Sequence, residues 1–154
     1  MIPIPTLEVL CEAAKKSLYS ASEAVLIPMI DARRMEVYTQ AYPQPLPKGK
    51  GAVAVVVENE ESLFSPSLLG EGRGEASYFY FGDGAEKCAK IFTKPNWHYV
   101  PNIVPEAQFM GALAEKIINH KSQITNHQSI DLAYYEPFYL KEFIAAPSHV
   151  KGLN

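Results

Sequence analysis

The chain has 154 residues, enough for one domain with an apolar core of its own. Hydrophobic residues make up 47% and charged residues 20%, which excludes a fully disordered chain, and the formal charge of −3 excludes the clustered basic surface that independent nucleic-acid binding requires. No apolar run is long enough to span a bilayer and no basic stretch leads into one at the start, so a cytoplasmic protein without membrane contact is expected.

Residues Thr6 to about Tyr19 have the pattern of a helix, with Thr6 as its cap, Glu8 in the first turn, and Leu7, Leu10, Ala14 and Leu18 on one face. That stripe must fold back on the local core or meet another copy of the chain, because a free apolar stripe invites association. Ala24 to Ile30 is a short, mostly apolar run. After the polar Asp31-Ala32-Arg33-Arg34, residues Met35 to Tyr42 alternate, with Met35, Val37, Thr39 and Ala41 set against Glu36, Tyr38, Gln40 and Tyr42, which predicts a β-hairpin.

Pro43, Pro45 and Pro47 stop the hairpin, since proline cannot donate to a ladder. Ala52 to Val57 is a continuous β-branched run, expected as a strand buried on both faces. The stretch of about 62–77, with Gly70, Gly72 and Gly74, reads as a flexible surface excursion. Tyr78 to Phe81 predicts a strand, Gly82-Asp83-Gly84 a turn, and Ala85 to about Phe92 a helix, with Asp83 and Glu86 spaced as a capping box. A strand around Trp97 to Val100 follows, and Pro105 opens a longer helix whose buried face is Met110, Leu113, Ala114, Ile117 and Ile118. Residues of about 119–129 read as a second loop excursion, and Ala133 to Lys141 as an aromatic, extended tail. A hairpin followed by strand–helix units implies an α/β fold with a mixed sheet and packed helices.

Chemistry finds little support in the residue pattern. Gly82-Asp83-Gly84 lacks the rest of a phosphate-binding fingerprint, and Asp83 would set a negative charge where a phosphate belongs, so a tight capped turn is the plainer reading. His98, His120, His127 and His149 lack zinc-binding spacing and are expected at the surface. Cys11 and Cys88 show no CxxC spacing and lie within helical patterns, as buried reduced thiols do. Asp31, Arg33, Arg34 and Glu36 cluster at the hairpin turn. They read either as an anion clamp built on the arginines or as a turn whose charges satisfy one another and point outward. No catalytic residue, metal ligand or cofactor is expected. Asp31, Arg33, Arg34, Glu36, Tyr38 and Asp83 are the candidate structural or partner-contact residues.

The string Pro28-Met-Ile-Asp31-Ala-Arg33-Arg34-Met-Glu36-Val-Tyr38 resembles the hairpin of the TsaB family of tRNA threonylcarbamoyladenosine biosynthesis proteins, relatives of the M22 glycoproteases. Thr6-Leu-Glu8, Phe81-Gly-Asp-Gly-Ala85, Ala107 to Ala114 and Glu136-Pro-Phe-Tyr-Leu-Lys141 resemble further family segments in the same order. The resemblance implies the C-terminal lobe of an actin-like (RNase H-like) fold over 24–154, with 1–23 as the linking helix from an N-terminal lobe not encoded here. It also implies insertions at about 62–77 and 119–129. In function it implies a non-catalytic scaffold that binds a TsaD-like catalytic subunit beside a TsaE-like ATPase, with a homodimer as a further expectation. The alternative is a metal-dependent peptidase or nucleotide hydrolase of the wider superfamily, with its ligand near Asp83 or Asp31.

Overall fold

A computed structural model of the protein describes residues 2–18, 24–42, 53–63, 76–122, 132–134 and 136. In chain order the elements are helix α1 (Thr6–Ser17), strands β1 (Val25–Asp31), β2 (Glu36–Thr39) and β3 (Val53–Val56), a 3-10 turn Glu60–Leu63, strand β4 (Tyr78–Phe81), helix α2 (Ala85–Cys88), strand β5 (Trp97–Val100), a 3-10 turn Ala107–Phe109, helix α3 (Met110–Ser122) and a 3-10 turn Leu132–Tyr134. The strands form one sheet in the order β3-β2-β1-β4-β5. β1 pairs antiparallel with β2, and β2 with β3, while β1–β4 and β4–β5 are parallel. This is the mixed sheet that the hairpin followed by strand–helix units implies.

Strand alternation sorts the side chains onto two covered faces. Val25, Ile27 and Met29 of β1 join Val37, Tyr78, Tyr80 and Trp97 in a core closed by Ala85, Cys88 and Phe92. Aromatic geometry tightens it: Tyr78 stacks on Trp97 with ring centroids 4.8 Å apart, and Phe92 meets both Tyr80 and Trp97 edge-on at 4.9 Å. On the other face Leu26 and Phe81 pack with Ile103 against Leu7, Leu10, Cys11, Ala13 and Ala14 of α1. The stripe of α1 therefore folds back on its own sheet, where a side chain like Leu10 contributes about 1.5–3 kcal/mol by leaving water. Pro28 sits in the central strand without an N–H to give, and its carbonyl accepts the Thr39 hydroxyl at 2.8 Å in the core.

Several expectations change. Among the described residues β3 is an edge strand, and Val56 is 53% exposed rather than buried on both faces, because the β-branched run signals strand but not its place in the sheet. α1 has Pro5 at its N-cap position with no side-chain cap, so Thr6 is not the cap. α2 is a single turn ending at Cys88, and the chain reaches Phe92 through further turns. On α3 Leu113 is buried, while Met110 and Ile118 are 40% and 51% exposed, and the helix packs on α1 and on the 3-10 turn Ala107–Phe109 that leads into it. The helix continues to Ser122, into the start of the second predicted excursion. At the edges of the first one, Leu63 is buried and Ala76 packs on the core. The remainder of both excursions, 64–75 and 123–129, and most of the tail lie outside the described residues.

Gly111 offers a simple test of the α3 placement. A Cβ built there meets nothing within 4 Å. Gly111→Ala is expected to stabilise the chain by about 0.5–1 kcal/mol through the lost backbone entropy of glycine, read as a raised urea midpoint. An unchanged or lowered midpoint would show that the position is not a solvent-facing helix site.

Candidate functional site

The hairpin tip is built by β1 and β2 around the three residues Arg33, Arg34 and Met35. The Ala32 N–H donates to the Glu36 carbonyl at 3.1 Å, and the Glu36 N–H closes the turn on the Arg33 carbonyl at 3.1 Å. To turn this tightly the backbone puts both arginines in the left-handed region, with φ of 68° at Arg33 and 50° at Arg34. Glycine or asparagine takes that conformation readily, whereas for a residue like arginine it costs about 1–2 kcal/mol each. Two such residues in succession make this the most strained turn among the described residues.

Lys87 of α2 holds the strain in place. Its ammonium donates to the Asp31 carboxylate, to the Arg34 carbonyl at 3.0 Å and to the Glu36 carbonyl at 2.6 Å. Asp31 Oδ1 also accepts the Arg33 N–H at 3.0 Å. The hydrogen bond from Lys87 and then that from the Arg33 amide hold the Asp31 carboxyl below the usual carboxylate range, and the Lys87 and Arg33 charges add to this at longer range. Asp31 is therefore ionised and engaged.

Behind the tip stands the Gly82-Asp83-Gly84 turn. Asp83 Oδ1 accepts the backbone N–H of Asp31 at 3.0 Å, so this carboxylate ties off the end of β1. It does not cap α2, whose N-cap is Gly84 with no side-chain bond, and the predicted capping box is not formed. The spacing of Asp83 and Glu86 fits a box, but the tertiary partner takes the carboxylate instead. Both glycines are required by proximity: a Cβ on Gly82, whose φ is +101°, would lie 2.3 Å from the Met29 carbonyl oxygen, and one on Gly84 would lie 2.9 Å from the Ile30 carbonyl carbon.

The structure thus brings Asp31, Asp83 and the backbone of Arg34 and Glu36 together. It separates Tyr38 from them. In register Asp31 faces Val37, on the α2 side, while Tyr38 pairs with Ile30 and points to the opposite face with Glu36. The side chains of Arg33 and Arg34 are exposed, and neither guanidinium has a hydrogen bond or ion pair with a described residue. Asp31 is held by Lys87, and the two arginine side chains are left outward. Sequence reasoning missed Lys87, because nothing in its local pattern reveals that α2 lies across the hairpin tip.

Elsewhere, burial pushes the Cys11 thiol up, and that of Cys88 up to about 11, so both are protonated at neutral pH and neither is a thiolate nucleophile. His98 is exposed beside the Phe79 ring, at 5.0 Å between centroids. His120 lies on α3, and His127 and His149 fall outside the described residues. Among the described residues no three His, Cys, Asp or Glu side chains converge as a metal-binding group, and no helix is long and apolar enough to cross a membrane.

No protein-family model and no curated protein matches the chain. Solved structures do. An uncharacterized Pseudomonas aeruginosa protein with similarity to the peptidase YeaZ superposes with a TM-score of 0.61 at 17% identity, covering 90% of this chain. YeaZ from the same organism superposes with a TM-score of 0.53, again at 17% identity, over 77% of this chain. The fold is the actin-like one. At such identity the likeness speaks for the fold alone. The chain spans 57% and 52% of the lengths of these two proteins. The Asp31–Lys87 lock ties the antiparallel hairpin to α2, the helix that follows β4.

Proposed function

We propose that this chain is a TsaB-type partner subunit, non-catalytic itself, that acts in tRNA threonylcarbamoyladenosine modification by contacting a TsaD-like catalytic subunit. YeaZ is TsaB, and the single observation that carries the reading is a coincidence of motif and place. The Pro28 to Tyr38 string, the part of the sequence most like TsaB, forms the central hairpin of a fold shared with YeaZ. On this reading residues 24–154 correspond to the C-terminal lobe and 1–23 to the linking helix, and a TsaE-like ATPase belongs to the same machinery in the cytoplasm.

The electrostatics agree with a contact role. Asp31 is ionised and bound, not poised to donate a proton, and the two thiols are held protonated. The test is calorimetric titration of the chain with a TsaD-like subunit, with YeaZ as positive control, beside assays of ATP and peptide hydrolysis. Saturable binding at least about tenfold weaker than the control is expected, because only part of YeaZ's length is matched and a stable interface removes about 1,200–2,000 Å² from water. Hydrolysis is expected at background. Turnover by the wild-type chain that is lost in Arg33→Ala would support the hydrolase alternative and sink this reading.

A further inference from the structure

We draw no further inference here: the strongest candidate, the exposed apolar face of helix α3 that carries Met110 and Ile118, is an unpartnered surface patch, and nothing in the structure shows what covers it.

Discussion

Gly82→Ala should destabilise the chain by about 3–4 kcal/mol, the largest effect expected of any single methyl group here. Two terms combine. A φ of +101° is rarely adopted by a residue with a side chain and is strained by about 1–3 kcal/mol. The added Cβ would also stand 2.3 Å from the Met29 carbonyl oxygen, a backbone atom in the middle of the sheet that cannot swing aside, and overpacking of this kind costs a further 1–3 kcal/mol or so. The neighbourhood gives no relief, because Met29 and Phe81 are completely buried. Against a total stability of about 5–15 kcal/mol this is a large fraction. Urea denaturation checks it: the midpoint should fall sharply with an unchanged slope. A fall no greater than that of Gly84→Ala, whose nearest contact is 2.9 Å, would mean that the turn shifts freely away from β1.

Much of the fold is legible from local patterns because its elements are short and strongly marked. Alternation from Met35 to Ala41 places Val37, Thr39 and Ala41 inward and they are buried, but Met35, at the turn, is 39% exposed and Gln40 is buried as well. Tyr78–Phe81 and Trp97–Val100 coincide with β4 and β5. What local pattern cannot carry is the position of an element in the sheet. Val53–Val56 has the composition of a central strand and lies at the edge, because the order β3-β2-β1-β4-β5 is set by the crossover from the hairpin to β4. The same holds for α3, where Met110 and Ile118 extend the apolar face beyond the part that α1 covers.

The candidate site was legible in its residues and not in its wiring. Asp31, Arg33, Arg34 and Glu36 stand together in sequence, so their clustering at a turn follows from the hairpin alone. Their partners come from 52 and 56 positions away, through Asp83 and Lys87. Each of those has a sufficient local explanation, Asp83 as a cap and Lys87 as an ordinary cation in the last turn of a helix. Only the parallel pairing of β1 with β4, Pro28 beside Phe81, carries the Gly82–Gly84 turn and α2 to the tip. The positive φ angles of the arginines are likewise invisible beforehand, since the residue types that announce a left-handed turn are absent.

Lys87→Met is the substitution that should undo this wiring while leaving the chain's apolar packing in place, since methionine keeps most of the lysine stem. Lys87 is 22% exposed and the Glu36 carbonyl that it serves is partly buried, so water replaces only part of what is lost. A hydrogen bond from a charged donor contributes about 1.5–3 kcal/mol, and with partial replacement a net loss of about 2 kcal/mol is expected at neutral pH. The pH dependence gives a signature that mere packing loss would lack. Asp31's folded pKa is depressed, first by Lys87, so the folded state binds fewer protons than the unfolded one in that range. The associated stability is present above the ordinary carboxylate range near 4 and fades as pH falls through the depressed value. In Lys87→Met the main cause of the depression is gone. The urea midpoints of wild type and variant should therefore differ most near neutrality and converge in acid, and Asp31→Asn should remove most of that pH dependence from the wild-type side. Amide exchange at Ala32 and Glu36 should quicken in the variant as the strained arginine backbone relaxes. Curves that stay offset but parallel down to the acid limb would show that Lys87 holds the tip through the Arg34 and Glu36 carbonyls and not through the Asp31 carboxylate.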